Sequence, residues 1–93
     1  MTEDDYATAL VRYVGGELLP GDARDGLTDT TPLMESGLLD SLRVALLLTH
    51  IRDEFGLYVS PAKIDAHHFR DIRTIAAMLH GLALENESQG EPA

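Results

Sequence analysis

The chain has 93 residues, which suits a single domain able to bury only about 60 to 65% of the surface of its unfolded chain. Its sixteen acidic and seven basic residues give a net charge of −9, which excludes the extended basic face that nucleic-acid binding requires. Cysteine is absent, so disulfides, thiolate metal sites and a cysteine nucleophile are excluded as well.

The first predicted helix begins in the acidic N-terminal segment, where Asp4 or Asp5 is expected to be the cap. Its buried side is predicted to contain Tyr6, Leu10, Tyr13 or Val14, and Leu18. Gly15-Gly16 weakens the helix by about 1 kcal/mol per glycine and indicates close backbone packing or a local irregularity. The segment is too acidic for a secretory signal, and no apolar run reaches membrane-spanning length, so we expect a cytoplasmic protein without a membrane span.

A long loop is predicted between the first and second helices. Pro20-Gly21 should end the first helix, and residues 20–40 contain too few apolar side chains for another long helix. Residues 31–35 can form one short helical turn, since Pro32 suits a first helical position. Apolar side chains expected to anchor the loop to the core are Leu27, Leu33 and Met34.

The second predicted helix, from Ser41 to Phe55, is the most apolar one. Its expected buried stripe consists of Val44, Leu47, Leu48, Ile51 and Phe55. In the simplest interpretation, Asp40 or Ser41 is only an N-cap. A serine in the first turn would also present its hydroxyl where free N–H groups and the helix dipole tolerate a phosphate diester.

Two further helices are predicted after Gly56, which should stop the second one. Residues 57–59 form a short extended connection, and Ser60-Pro61 opens a short third helix through Ile64. Asp71 is expected to cap the last helix, and the tail from Asn86 to Ala93 is predicted to be disordered. The buried stripe of the last helix should consist of Ile72, Ile75, Ala76, Leu79 and Leu82.

No residue pattern indicates catalysis or a metal site. The histidine pair His67-His68 lacks a carboxylate or thiolate at ligand spacing, and the remaining histidines, His50 and His80, are isolated. A serine hydrolase would need a Gly-x-Ser-x-Gly elbow, and both glycines are missing around Ser41. We therefore expect neither enzymatic activity nor a bound metal ion.

The stretch around Ser41 resembles the phosphopantetheine attachment site of acyl and peptidyl carrier proteins, in which Asp-Ser-Leu opens the second helix. The residues that carry the resemblance are Asp40-Ser41-Leu42, then Asp29, Pro32-Leu33 and Gly37 upstream, and Phe55 fourteen residues after the serine. A second block, residues 69–76, resembles the entry into the last helix of these carriers. Together the blocks cover roughly half of the chain.

The resemblance implies an all-α, four-helix carrier-protein bundle with a long loop between helices one and two and a short third helix. Residues 1–85 would form the carrier domain and residues 86–93 the tail. A separate phosphopantetheinyl transferase would attach 4'-phosphopantetheine from coenzyme A to Ser41, with Asp40 and Leu42 beside it. The arm would then hold an aminoacyl or acyl group as a thioester for partner enzymes, the carrier itself being no enzyme.

Among carriers, the segment Gly37 to Ser41 and the pair Ile64-Asp65 before Phe69 are most similar to D-alanyl and related free-standing aminoacyl carriers. Expected partners are an adenylating aminoacyl or acyl ligase and a downstream acyltransferase or amide-forming enzyme. The chain itself is expected to be a monomer. The residues proposed for docking are Leu42, Leu46, Thr49, Arg52 and Asp53. Six arginines against one lysine hint at a GC-rich bacterial source and at natural-product biosynthesis.

Two alternatives remain open from the sequence. The first is a fatty-acid or polyketide acyl carrier, although three positions where fatty-acid carriers resemble one another in having acids are Leu46, Thr49 and Arg52 in this chain. The second is a non-covalent helical interaction module in which Asp40-Ser41 serves only as a helix cap.

Overall fold

The computed structural model describes residues 2–18 and 26–89, and their regular secondary structure is entirely helical. Helix α1 spans Glu3–Tyr13 and continues as a π-helical segment, Val14–Leu18; α2 spans Ser41–Phe55 and α3 spans Ile72–Gln89. A single 3₁₀ turn, Pro61–Lys63, lies between α2 and α3. The all-α prediction is confirmed, whereas the predicted short third helix is only this turn, so a fourth α-helix is not confirmed.

Helix α1 is capped by Thr2 rather than by Asp4 or Asp5. The Thr2 hydroxyl accepts from the Asp5 backbone N–H at 3.2 Å, and the Asp5 carboxylate accepts from the Thr2 N–H at 2.9 Å. These reciprocal hydrogen bonds form a capping box, in which Asp5 occupies the third helical position. The predicted cap was wrong because the threonine three residues upstream satisfies the first free N–H groups.

The glycine pair of the first helical run lies in the π-helical segment. A Cβ built on Gly16 would meet nothing within 4 Å, so close backbone packing does not explain this glycine. The extra residue of the wider turn keeps Val14 and Leu18 on the buried side, in line with Leu10. The interpretation as a local irregularity is confirmed, and Val14 rather than Tyr13 is the core residue. Pro20-Gly21, the predicted helix end, lies outside the described residues.

The loop before α2 is attached to the core and to the start of α3. Leu33 is completely buried, and Leu27 and Met34 pack partly buried against the core, as predicted. The Leu33 N–H donates to the Arg70 carbonyl at 2.8 Å, and the Leu39 N–H donates to the Leu33 carbonyl at 3.0 Å. These bonds hold the loop end from which α2 begins.

Arg73 ties the same loop to two helices. Its guanidinium donates to the Asp29 carboxylate through Nε at 3.0 Å and to the Asp4 carboxylate through Nη1 at 2.6 Å. The Arg73 backbone N–H also donates to the Asp29 carbonyl at 2.7 Å. The side-chain hydrogen bonds from Asp4 and Asp29 raise the pKa of Arg73. One side chain of α3 thus fixes the loop against the start of α1.

Helices α1 and α3 pack across one hydrophobic core, which α2 and the two loops close. Asp71 caps α3, because its Oδ1 accepts from the Thr74 N–H and hydroxyl, both at 2.7 Å. The helix continues to Gln89, so residues 86–89 are helical where a disordered tail was predicted; residues 90–93 lie outside the described ranges. The fully buried large side chains are Leu10, Val14, Leu33, Leu47, Ile51, Phe69, Ile72, Ile75 and Leu79.

Candidate functional site

Ser41 is the first residue of α2, and Asp40 is its N-cap. The Asp40 Oδ1 accepts from the Arg43 N–H at 2.8 Å, and its Oδ2 pairs with the Arg43 guanidinium at 3.2 Å. Gly37, with φ +77°, turns the chain just before this cap in a conformation that favours glycine. Ser41 is exposed, and its hydroxyl has no hydrogen-bond partner among the described residues. Asp40 therefore performs the capping, which leaves the serine oxygen available at the positive end of the helix.

The faces of α2 separate largely as predicted. Leu47 and Ile51 are completely buried, while Val44, Leu48 and Phe55 are only partly buried. The proposed docking residues are all exposed: Leu42, Leu46, Thr49, Arg52 and Asp53.

The exposed leucines make this surface unusual for a solvated helix. Leu42 is 69% exposed and Leu46 is 46% exposed. Thr49 and Asp53 continue the same face at steps of three and four residues, so an apolar stripe with a polar end begins beside Ser41. Arg52 lies off this stripe, toward the 3₁₀ turn.

A cavity of about 360 Å³ opens directly beside Ser41. Its floor is apolar, and the Asp40 and Asp65 side chains lie in its wall. The lining residues are Met34, Asp40, Ser41, Val44, Ala45, Leu48, Ile64, Asp65, Ala66 and Phe69. A chain attached to the Ser41 oxygen would have this cavity as its nearest sheltered surface.

A second cavity, of about 220 Å³, lies further along α2. It is lined by Leu48, Thr49, Arg52, Leu57, Tyr58, Val59, Pro61 and Ile64. Both cavities are therefore bounded on one side by α2 and on the other by the connection between α2 and α3.

Asp65 and His68 stabilise the part of that connection beside Ser41. The Asp65 Oδ1 accepts from the His68 backbone N–H at 2.8 Å and lies 2.8 Å from the His68 Nδ1. The backbone hydrogen bond, followed by the side-chain one, lowers the pKa of Asp65. His67 stacks edge-to-face on His68 with ring centroids 5.4 Å apart. Within residues 2–18 and 26–89, no group of three or more His, Asp or Glu side chains is placed to hold a metal ion.

The structure shows one exposed aromatic residue that the sequence interpretation did not single out. Tyr58 is 71% exposed, although its neighbours Leu57 and Val59 are 4% and 5% exposed. The alternation of these three residues contained this information, because successive residues of an extended segment point to opposite sides. The sequence predicted a short extended connection here, and the structure shows that Leu57 and Val59 pack on the bundle whereas Tyr58 does not.

Comparison with known proteins identifies the region that contains these features. The family described as "Phosphopantetheine attachment site" matches residues 16–80. The chain is 26% identical over 81 residues to the "Probable acyl carrier protein PigG" of Serratia sp. (strain ATCC 39006), covering 87% of this chain and 92% of that protein. Among the described residues, no helix is both long and apolar enough to cross a membrane.

A solved structure gives a closer match in sequence. A chain in the "Crystal structure of FAD-dependent dehydrogenase" is 39% identical with a TM-score of 0.72, covering 76% of this chain and 99% of that chain. Since 76% of 93 residues is about 71 residues, the matched chain is itself only about that long.

Proposed function

Because the chain belongs to the phosphopantetheine attachment site family, we propose that Ser41 is the attachment point and that the arm on it holds an aminoacyl or acyl thioester for partner enzymes. The chain is a carrier protein and not an enzyme, and its prosthetic group is covalently bound 4'-phosphopantetheine. One observation supports Ser41 above all: its exposed hydroxyl stands free at the start of α2, beside an apolar cavity, while Asp40 caps the helix.

The prosthetic group supplies a thiol, which the chain itself lacks because it contains no cysteine. Residues of this chain would hold the arm and display it. The free N–H groups and dipole at the start of α2 favour the negative charge of the phosphate diester on Ser41. Tethering would keep the cargo at a high effective concentration near each docked enzyme.

The proposed docking surface consists of Leu42, Leu46, Thr49, Arg52 and Asp53. It suits a partner whose surface combines apolar side chains with both acidic and basic groups. Two exposed leucines offer area to bury, while Arg52 and Asp53 carry opposite charges. A partner with a purely basic patch would gain little here. The partners we propose are a phosphopantetheinyl transferase, an adenylating ligase and a downstream acyltransferase or amide-forming enzyme. We propose that the carrier is a monomer and that it acts in the cytoplasm.

The cargo we propose is a short aminoacyl group used in natural-product biosynthesis. The likeness to aminoacyl carriers around residues 37–41 and 64–69 supports it, as does the small, open cavity beside Ser41. A fatty-acid or polyketide carrier is the second candidate. The match to a probable acyl carrier protein is compatible with either cargo.

A flavin-dependent dehydrogenase is a further partner that we propose. The 39% identical chain of about 71 residues comes from the structure of an FAD-dependent dehydrogenase and is covered almost completely by this carrier. Such an enzyme would oxidise the tethered cargo: a hydride and a proton leave adjacent cargo atoms, a single bond becomes double, and FAD becomes FADH₂. The thioester to the carrier stays intact.

The attachment site is tested by intact mass after incubation with coenzyme A and a broad-specificity phosphopantetheinyl transferase. We expect one phosphopantetheine on the wild type, none on Ser41→Ala, and one on the control Ser60→Ala, which removes the half-buried serine that caps the 3₁₀ turn. If the transferase modifies a control carrier but leaves the wild type unmodified, the non-covalent interaction module is favoured. Modification of Ser41→Ala would overturn the assignment of Ser41.

The dehydrogenase proposal needs its own measurement. Holo protein is loaded chemically with a panel of amino acids and incubated with the FAD-dependent dehydrogenase of the matching structure. We expect one aminoacyl form to lose two hydrogens, with one flavin reduced for each cargo oxidised. Loss of this reaction in Leu46→Glu, with loading and helicity unchanged, would support the docking surface; no oxidation of any aminoacyl form would contradict the partner.

A further inference from the structure

The two cavities beside α2 are adjacent and share two lining side chains; together they are here called the α2 groove. The first is bounded along the helix by residues 41–48 and the second by residues 48–52, and they share the side chains of Leu48 and Ile64. Ile64 is 38% exposed, so this shared wall is open to solvent on one side. The groove starts at Ser41 and ends at Arg52 and Tyr58.

The charges along the α2 groove are arranged unevenly. Asp40 and Asp65 line the end beside Ser41, whereas Arg52 is the charged residue that lines the far end. Within the described part of the chain, no carboxylate lies within the 4 Å of an ion pair with the Arg52 guanidinium. Lys63, on the 3₁₀ turn, lines neither cavity, and Tyr58 is the other titratable group of the far end. A chain with a net charge of −9 thus places a guanidinium that has no ion-pair partner among the described residues at the far end of the α2 groove.

The length of the groove fits the length of the arm. Arg52 follows Ser41 by eleven positions, which at a rise of 1.5 Å per residue is about 16 Å along the helix axis. The arm spans about fourteen bonds from the serine oxygen to the sulfur, and an extended chain covers roughly 3.5 Å per three bonds, hence about 16 Å. An extended arm leaving Ser41 along α2 would therefore end beside Arg52.

We propose that the α2 groove holds the resting phosphopantetheine arm, with Leu48 and Ile64 packing against its middle and the Arg52 guanidinium stabilising the terminal sulfur as a thiolate. This inference rests on the proposed attachment at Ser41. Arg52 would thus act as a positioning residue for the arm in addition to its place in the docking surface. The apolar walls suit the methyl and methylene groups of the arm, and the acidic end would keep its phosphate at the solvent-exposed rim.

The consequence is chemical, because the thiolate is the nucleophile when cargo is loaded. A positive charge about 6 Å away in water-like surroundings lowers a thiol pKa by about half a unit, which raises the thiolate fraction at neutral pH roughly threefold. Salt should reduce this effect, since the Arg52 end of the groove is open to solvent.

The test uses the absence of cysteine: in the holo protein, the arm provides the sole thiol. We would measure the rate of its reaction with a disulfide reagent as a function of pH, at low and at high salt. Variants are Arg52→Gln, Arg52→Lys as the charge-conserving rescue, and Arg12→Gln as the control, since Arg12 lines a different cavity beside Tyr13 and His50. Intact mass first establishes that each variant carries the arm.

We expect the thiol pKa of the wild type to lie about half a unit below that of Arg52→Gln, with Arg52→Lys and Arg12→Gln close to the wild type, and the difference to shrink in high salt. Backbone amide shifts between apo and holo protein should be largest at Ser41, Tyr58 and Ile64. An identical thiol pKa in wild type and Arg52→Gln would overturn the inference while leaving the attachment intact. Failure of the wild type to accept any arm would instead contradict the proposed function itself.

Discussion

Asp40 caps α2 and Ser41 offers a free hydroxyl, although the sequence alone leaves open which of the two residues is the cap. The aspartate accepts the backbone N–H of Arg43 and so caps α2, whereas the serine points its hydroxyl to solvent. A residue that caps a helix through its side chain cannot easily offer the same oxygen for modification. The separation leaves Ser41 free to change chemically without loss of the helix start.

This division predicts different stabilities for two alanine variants. Asp40→Ala should lower the free energy of unfolding by about 1 kcal/mol, within the range of 0.5 to 2 kcal/mol typical of lost caps. Ser41→Ala should leave it nearly unchanged, because no hydrogen bond of the described residues is removed. Chemical denaturation followed by circular dichroism makes the comparison, and equal losses in both variants would show that the serine shares the capping.

Asp71 is the buried acid whose ionisation supports the fold. Burial raises its pKa, but the hydrogen bonds from the Thr74 side chain and backbone, and the Arg70 charge, together lower it below the ordinary 3.8. A depressed folded-state pKa adds stability above the unfolded value, and that stability is lost as the pH falls through the folded value.

We therefore expect the wild type to lose stability on acidification below about pH 4, with Asp71→Asn losing less over the same interval. Asparagine can still accept the Thr74 N–H but has no charge to neutralise. Melting temperatures from pH 7 down to pH 2 provide the measurement. If the melting temperatures of the wild type and Asp71→Asn fall in parallel as the pH is lowered, the acid sensitivity arises from other carboxylates, such as Asp65.

At the scale of the element, α2 combines a buried face with the exposed face that we propose for docking. Leu47 and Ile51 contact the core and are 0% exposed, whereas Leu48 is partly exposed to the groove. The sequence assigned Leu48 and Ile51 equally to the core, since periodicity does not show where a helix borders a cavity. Exposed Leu46 belongs to the opposite, proposed docking side.

Alanine variants should rank these positions. Leu47→Ala and Ile51→Ala should each cost about 2 to 5 kcal/mol, Leu48→Ala less, and Leu46→Ala under about 0.5 kcal/mol. The ranking follows from how much packed apolar contact each deletion removes. Urea unfolding measures it, and a Leu46→Ala cost equal to that of Ile51→Ala would contradict both the face assignment and the docking surface.

At the scale of the whole molecule, several helix ends were predictable from local signals, although the Thr2 cap of α1 was missed, and the long-range contacts were not predictable. The ends of α2, at Asp40 and Gly56, and the cap at Asp71 follow from side chains within one turn of the helix end. Arg73, by contrast, contacts Asp4 and Asp29, which are 69 and 44 residues away in the chain. No local pattern indicates which of sixteen acids such an arginine selects. The α2 groove was not predicted for the same reason, because its two walls come from separate segments of the chain.

The architecture also bears on the length of the cargo. The core between α1, α2 and α3 is closed by fully buried side chains, including Leu10, Ile51, Ile75 and Leu79, while the cavities beside α2 open to solvent. A core packed at ordinary density has no room for an additional long chain without displacing these residues. A short cargo needs no such rearrangement.

The melting temperatures of holo protein carrying an acetyl, an aminoacyl or a hexadecanoyl group should therefore agree within about two degrees, because none of the three forms buries its cargo in the core. Methyl chemical shifts of Ile51, Ile75 and Leu79 should agree among the three forms, while Ile64 and Leu48, in the groove, differ. The acetyl form is the internal control for the thioester itself. A higher melting temperature for the hexadecanoyl form, with shifted Ile75 and Leu79 methyls, would assign the protein to long-chain acyl cargo and would leave the proposed attachment at Ser41 unaffected.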